Sequence, residues 1–576
     1  MSEEPKSFNP CAGKARARGP EMSENERGFN PLEVETEEVS LGTKEPGLAK
    51  DVHEARLPTE SILTLDVAEY VADFNARVIG AYEKGVGSQE LPADVGIARS
   101  LIPAGTAALR DFSYLSPDIP EFIADRCVGC MTCVTECPDT AILAKAIPAS
   151  RLEGEPEFDG AQWVRTRKYF DVPARKGLEG ALFGIFIDPT KCKGCAECVE
   201  VCTALGYDAL RMVRKQDATL DSYRRAFNFF RKVGPTPAEY INEKSLADMM
   251  LAEESALLYV GGAGSCMGCG EGTALRMMVA ATGFAHGPEG LAIVAATGCN
   301  TVYCSTYPYN PFLVPWTNSL FENAPAVAMG VRAKWDQRGW QEKRLWVVGG
   351  DGAMYDIGFQ SLSRMLAAGM DIKVLVLDTQ VYSNTGGQVS TASFLAQDAK
   401  MAAVGPAVAG KSERRKELGL IALMHPEVFV AQTTAAHINH FYRAILDANS
   451  FPGPAVVIAY TTCQPEHGVG DDRAARQAKL AVDSRAFPLF IHDPRKGETI
   501  RERLSVQGNP DPKEDWARHP KTGEVIDFVA FARTEGRFAR QFDAQGRPSS
   551  ALVAAQAERL ANWRRLQELA GLYPAP

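Results

Sequence analysis

Changes in apolar and polar patterning divide the chain into six segments. Residues 1–58 are rich in Glu, Lys, Pro and Gly and show little apolar periodicity, which predicts a mobile N-terminal extension with no core of its own. Between Ser61 and Tyr82 the residues Ile62, Leu65, Ala68, Val71, Phe74 and Val78 recur at helical spacing, so 59–117 reads as a helical connecting segment. Residues 118–210 are punctuated by cysteines and hold one strand-like run, LFGIFID; 211–251 is a connector. Over 252–482 short apolar runs alternate with amphipathic stretches such as FQSLSRMLAAGM. LAIVAATG, RLWVVGGD and IKVLVLD are too short and too uniformly apolar for surface helices, and they predict buried strands of a parallel α/β sheet. Ligands of such sheets sit beyond the carboxyl ends of the strands, and the first two runs end in glycine there. Residues 483–576 form a polar C-terminal extension, with a helical finish from Ser549 to Leu572 whose Leu552, Ala555, Leu560, Trp563 and Leu566 make one apolar stripe.

A chain of 576 residues, 45% of them hydrophobic, exceeds one ordinary domain and can bury sizeable cores. Its formal charge of -10 argues against nucleic acid as a partner and favours proteins and small acids. The N-terminus MSEEPKSFNPCAGKARARG lacks an apolar core of the export type, and no later run approaches the length of a membrane span. A cytoplasmic protein without a membrane partner is expected.

The fourteen cysteines change this picture most, because twelve fall into three groups. Two groups are C-x-x-C-x-x-C-x-x-x-C runs: Cys127, Cys130, Cys133, Cys137 and Cys192, Cys195, Cys198, Cys202. Such a run wraps one cubane with three thiolates and gives its fourth to the other cluster, so the spacing assigns Cys127, Cys130, Cys133 and Cys202 to one [4Fe-4S] cluster and Cys192, Cys195, Cys198 and Cys137 to a second. This makes 118–210 a duplicated α+β, two-cluster ferredoxin-like domain. Zinc is the alternative ligand for such thiols. The stretch between the runs carries Trp163, Arg165, Arg167 and Lys168, and contact with another subunit and a solvated hairpin are equal readings of it. Cys266, Cys269, Cys299 and Cys463 form a third, scattered group, while Cys304 reads as a small buried hydrophobe and Cys11 as an incidental thiol.

GGDGAMYD follows an apolar strand and opens an amphipathic segment. Gly350 and Gly352 let the backbone approach a diphosphate, and Asp351 faces it as a carboxylate that magnesium would prefer. The next strand brings Asp378, Thr379 and Val381 to the same edge, with Asn384 in the loop SNTGGQ. GDG alone is a common turn; GDG with a later Asn beyond a second buried strand points to thiamine diphosphate.

SCMGCGEG, ATGCN, PWTNSLFEN, GGDGAMYDIGFQSL, VLDTQVYSNTGGQ, SFPGPAVVIAYTTC and the two cysteine runs together resemble the pyruvate:ferredoxin (flavodoxin) oxidoreductases, the thiamine-dependent 2-oxoacid:acceptor enzymes, in their C-terminal half, from about Asp118 to Gly468. The resemblance implies that 252–482 is a thiamine-diphosphate and Mg2+ domain with a proximal cluster. Cys266, Cys269, Cys299 and Cys463 would hold that third [4Fe-4S] cluster. Asp351, Thr379 and the carbonyl of Val381 would ligate Mg2+; Gly350, Gly352, Thr297 and Gly298 would line the cofactor; Asn384 would contact the reacting group. QPEHGVGDD after Cys463 departs from the family pattern, and His467 in it reads as a turn cap. The resemblance further implies a β-type subunit that oxidises pyruvate with coenzyme A, or runs the reverse synthase reaction, with ferredoxin or flavodoxin as acceptor. The alternatives are a 2-oxoglutarate enzyme and an electron-transfer subunit with a degenerate thiamine fold. The family's pyrimidine-binding domain has no room ahead of residue 118, so a partner subunit in a hetero-oligomer is expected to supply it with most of the coenzyme A site.

Overall fold

The computed structural model describes residues 67–91, 101–155, 158, 162–405, 409–519 and 522–572. The expected extension over 1–58 and Cys11 lie outside them. Two compact units are present. One contains a helical run, Val67–Asp73, Phe74–Ile79 and Gly80–Glu83, with Phe74, Val78, Ile79 and Ala81 buried, in keeping with the spacing read from the sequence. The other comprises everything from Ala104 onward.

In the second unit the two cysteine runs fold alike. Gly129 and Gly194, two residues after the first cysteine of each run, have φ of 73° and 75°, and Met131 and Ala196, four residues after it, have 70° and 65°. Each loop then opens a helix, Thr132–Thr135 in one and Glu197–Ala204 in the other. This repeated left-handed backbone lets the chain curl around its thiols, and glycine takes the first such position because it carries no Cβ penalty. β1 (Asp118–Phe122) and β5 (Leu210–Arg214) pair antiparallel. β2 (Ile142–Pro148), β3 (Trp163–Arg165) and β4 (Ala181–Ile187) make a three-stranded sheet in the order β2-β4-β3. Trp163 is buried there against Phe186 and Phe229, so it belongs to the fold's own core.

The larger sheet has eight strands. β6 (Leu291–Ala296), β7 (Trp316–Ser319), β8 (Arg344–Gly350), β9 (Lys373–Asp378), β10 (Phe429–Thr434) and β11 (Ala455–Tyr460) run parallel in the order β10-β11-β9-β8-β6-β7. The segment read as a C-terminal extension completes the edge with antiparallel β12 (Phe490–His492) and β13 (Leu504–Ser505). The inner strands are buried throughout, save for the two end residues of β8, because helices cover both faces. Ile293, Val348, Leu375 and Val457 enter one core; Val294, Val347, Val376 and Ile458 enter the other. The second core also takes Leu552, Ala555, Trp563 and Leu566 of the helix Ser550–Leu569, with Leu560 half-buried beside them. The first core continues without a break into the ferredoxin-like part through Met131, Phe183 and Ile185. β11, β9, β8 and β6 are consecutive neighbours, so their carboxyl ends form one row.

Candidate functional site

That row of strand ends is the floor of a cavity of about 270 Å3. Thr297, Gly298 and Cys299 come from the end of β6, Gly350, Asp351 and Gly352 from β8, and Thr379 and Asn384 from β9 and its following loop. Gly352 has to be small, since a Cβ there would stand 3.0 Å from the ring of Tyr382, another lining residue. Val381 lies just behind the wall. Its carbonyl accepts from Thr379 Oγ1 at 3.0 Å, and the same hydroxyl stands 3.3 Å from Asp351 Oδ1. Three hard oxygens, one a carboxylate, therefore meet at one point. Asp351 is 2% exposed and its pKa is pushed up to about 8, first by burial and then by the neighbouring Asp378. A carboxylate so placed gains from a cation, which would restore its charged form.

Sequence reasoning missed what holds this wall. Gln380 has φ of 58°, a left-handed turn at the end of β9 that redirects the chain so that the Val381 carbonyl returns to Thr379. Its side chain bonds the Asp378 backbone and takes a 3.0 Å bond from Arg537 at its Oε1. Asp378 is itself gripped by Arg415 and by the hydroxyl of Tyr355. Ser390, 39 positions from Asp351, donates to the second oxygen of that carboxylate. His467 is fully buried, and its Nε2 donates to the Thr379 carbonyl at 2.8 Å instead of capping a turn. Burial holds its pKa far below the ordinary value, so the ring is neutral. Glu271, also in the cavity wall, follows Cys269 within SCMGCGEG; its place in that motif was the available signal.

The scattered cysteines approach from three segments. Cys299 lines the cavity and opens the helix Cys299–Cys304. The thiol of Cys463 shares a hydrogen bond with Ser383, which lines the cavity too, and burial pushes it up to about 12. Cys269 Sγ accepts from Gly272 N at 3.5 Å at the start of the helix Gly270–His286. Gly270 N reaches the Thr462 carbonyl at 3.2 Å, and Gln464 bonds the Gly268 carbonyl, so the Cys266–Cys269 loop lies alongside Cys463. Cys304 is buried beside Tyr259 and takes no part.

Two smaller cavities collect the other thiols. One is lined by Cys127, Cys130, Cys133 and Cys202, the other by Cys137, Cys192, Cys195 and Cys198, so each run lends its fourth cysteine to its twin. Burial raises the thiols of Cys133, Cys137, Cys195, Cys198 and Cys202, and pushes Cys127 up to about 11 and Cys192 to about 12. Among the described residues no three His, Cys, Asp or Glu side chains are grouped to hold a single metal ion. A cubane places its four thiolates on four separate irons and so needs a wider cage than one ion does. The second cavity lies against the large sheet's domain. Lys193 Nζ, in its loop, bonds Asp139 at 2.7 Å and the carbonyls of Ala263 and Ser265 at 2.9 and 2.8 Å, just ahead of Cys266. Arg276, fully buried, reaches back to the carbonyls of Val134 and Cys137 at 2.7 and 2.9 Å.

Residues 296–459 match the family model of the thiamine pyrophosphate enzyme C-terminal TPP binding domain, and residues 119–143 match a 4Fe-4S binding domain. The chain is 28% identical over 527 residues to pyruvate-flavodoxin oxidoreductase of Rhodospirillum rubrum, covering 78% of this chain and 41% of that one. It is 29% identical over 616 residues to the Klebsiella pneumoniae pyruvate-flavodoxin oxidoreductase, covering 89% and 48%. With pyruvate:ferredoxin oxidoreductase of Moorella thermoacetica it shares 28% over 486 residues, 70% and 39%. The chain thus spans less than half the length of the curated relatives it matches. Among the described residues no helix is long and apolar enough to cross a membrane.

Proposed function

We propose, from the premise that this chain is similar to the pyruvate-flavodoxin and pyruvate:ferredoxin oxidoreductases through its thiamine and iron–sulfur parts, that it is the β-type subunit of a 2-oxoacid:ferredoxin oxidoreductase acting on pyruvate and coenzyme A. One observation carries the reading: Cys299 stands in the same cavity wall as Asp351 and Thr379. A thiolate ligand beside a diphosphate site has no use in a thiamine decarboxylase without redox chemistry.

The donor set fits the groups this function needs. Asp351, Thr379 and the Val381 carbonyl would offer magnesium the hard oxygens it prefers, and so a means of holding a diphosphate. Gly350 and Gly352 leave room for that diphosphate at the end of β8. Three thiol sets, twelve cysteines in all, suit three clusters. Thiamine diphosphate bound there would supply an electron sink for decarboxylation of a 2-oxoacid, and iron–sulfur clusters would supply one-electron acceptors. The chain's residues do the positioning. Asn384 presents its carboxamide to the substrate from the cavity wall. Cys266, Cys269, Cys299 and Cys463 keep the first electron acceptor beside it. Cys137, Cys192, Cys195 and Cys198 form the next station, because Lys193 and Arg276 tie that loop to the large sheet's domain. Cys127, Cys130, Cys133 and Cys202 would hold the last, on the side facing ferredoxin or flavodoxin, since their cavity includes Val128 and Tyr207, 42% and 36% exposed.

The pyrimidine-binding domain, with its activating glutamate and most of the coenzyme A site, comes from a partner subunit. Reduction of methyl viologen by pyruvate and coenzyme A is the test, run on the purified chain with and without the polypeptide that carries the other half. Turnover only in the mixture is expected. Turnover by the chain alone would overturn the division of labour, no turnover in the mixture would overturn the oxidoreductase reading, and faster turnover of 2-oxoglutarate would overturn the choice of pyruvate.

A further inference from the structure

Tyr303 is 1% exposed, and among the described residues its hydroxyl has no hydrogen-bond partner. A buried hydroxyl left unpaired is costly, and nearly all such groups in folded proteins find an acceptor. Tyr303 does not line the cofactor cavity, so nothing in the proposed function uses it. Its place in the fold nevertheless puts it among the scattered thiols.

Three features fix that place. Tyr303 follows Cys299 by four residues in the helix Cys299–Cys304, and helical side chains lean toward the N-terminus, so its ring covers the turn that Cys299 begins. Its carbonyl accepts from Gly264 N at 3.0 Å, two residues ahead of Cys266. A Cβ on Gly264 would stand 2.5 Å from Thr306 Oγ1, so the segment leading to Cys266 lies directly on the chain just beyond this helix. At the hydroxyl itself the neighbours are Glu271 and the thiols of Cys304 and Cys269. Burial raises the phenol well above its ordinary pKa and these three groups raise it further, so it keeps its proton at any physiological pH. After burial, Cys269 is also among the groups that raise Tyr259 and Cys304, which places its sulfur close to all three side chains.

We infer that Tyr303 donates a hydrogen bond to the Cys269 sulfur once Cys266, Cys269, Cys299 and Cys463 hold their cluster, and that this bond raises the cluster's reduction potential. The inference rests on the cluster reading of those four cysteines. A neutral thiol is a weak acceptor, whereas a thiolate bound to iron carries charge and accepts strongly. Hydrogen bonds to sulfur are among the levers that set cluster potentials. On reduction one electron enters the cluster and the added negative charge strengthens the bond; the phenol keeps its proton, so no proton is taken up. The cluster beside the cofactor cavity is thereby easier to reduce than it would be without the hydroxyl. Buried water is the plain alternative partner for such a group.

The test is a redox titration of the full, cluster-loaded chain with dithionite, followed by EPR, on wild type and Tyr303→Phe. The variant keeps the ring and loses only the hydroxyl. One of three midpoint potentials should fall by about 59 mV, which is about tenfold in a one-electron equilibrium. The other two should stay, because Tyr303 lines neither thiol cavity of the ferredoxin-like part. Wild-type protein gives a second reading that needs no variant to fold. With the clusters reconstituted in D2O, pulsed EPR of that signal should show a coupled proton replaced by deuterium, and that coupling should be lost in Tyr303→Phe. Iron analysis separates this inference from the reading beneath it. About eight atoms in wild type would mean no third cluster and would remove the cluster reading together with the inference. About twelve atoms with an unchanged or raised potential in Tyr303→Phe, or with no exchangeable proton on the wild-type signal, would overturn the role of Tyr303 alone and return its hydroxyl to a buried water.

Discussion

The ferredoxin-like part and the large-sheet part build their sites by opposite means. In the first, eight cysteines come from two short loops, and repeated left-handed residues at Gly129 and Met131, and again at Gly194 and Ala196, are enough to turn each loop around its thiols. In the second, the key groups arrive from β6, β8, β9 and the segment after β11, and only the order β11-β9-β8-β6 brings them to one place. A local site tolerates changes elsewhere in the fold. A dispersed site depends on many residues that touch no ligand: Gln380, Ser390, His467 and Arg537 all act by fixing Thr379 or Asp351.

That contrast can be broken from either side. The largest effect is expected from Asp351→Asn, which keeps the shape of the β8 turn but removes the charge that would draw magnesium. Thiamine diphosphate affinity, measured by calorimetry in excess magnesium on the chain mixed with the proposed partner polypeptide, should fall about 100-fold, while iron content stays at the wild-type level. Wild-type affinity would reduce GGDG to a turn. Cys463→Ser tests the scattered thiols. Iron analysis should show a loss of about four atoms from about twelve, with the two ferredoxin-type signals retained, and unchanged iron would make Cys463 a buried hydrophobe. Lys193→Ala addresses the seam between the two parts. It leaves Asp139 buried without its partner, and chemical denaturation should register a loss of about 3–5 kcal/mol. The smallest effects compare the twin loops. Alanine at either left-handed glycine should cost about 1–2 kcal/mol in thermal melts. Gly194→Ala should be worse than Gly129→Ala, because its Cβ would stand 2.2 Å from Ser116 Oγ and 2.9 Å from the Asp118 carbonyl, whereas the other meets side-chain atoms only, no closer than 2.9 Å.

The same contrast explains what the sequence disclosed. The cysteine runs were legible because their geometry is written in spacing alone, and β6, β8 and β9 because strands buried on both faces are uniformly apolar. Asp351 and Asn384 were legible as strand-end residues. Ser390, Gln380 and His467 were not, since their roles depend on a left-handed residue and on contacts made 39 and 88 positions away. β12 and β13 escaped notice because three and two residues carry no period. Trp163, read as part of an insertion, instead anchors the third strand of the small sheet, where an indole fills the space that Gly184 leaves opposite it.

Lys193 bears on the order in which the protein is made. Synthesis starts at the N-terminus, so the loop Cys192–Cys198 and Asp139 exist before the carbonyls of Ala263 and Ser265 that complete the lysine's shell. Arg276, whose guanidinium holds the carbonyls of Val134 and Cys137, is made later still. Until those residues emerge, the ammonium has only part of its partners and no reason to stay dry. The cavity lined by Cys137, Cys192, Cys195 and Cys198 therefore closes only after about eighty further residues have left the ribosome, and until then its thiols stand open.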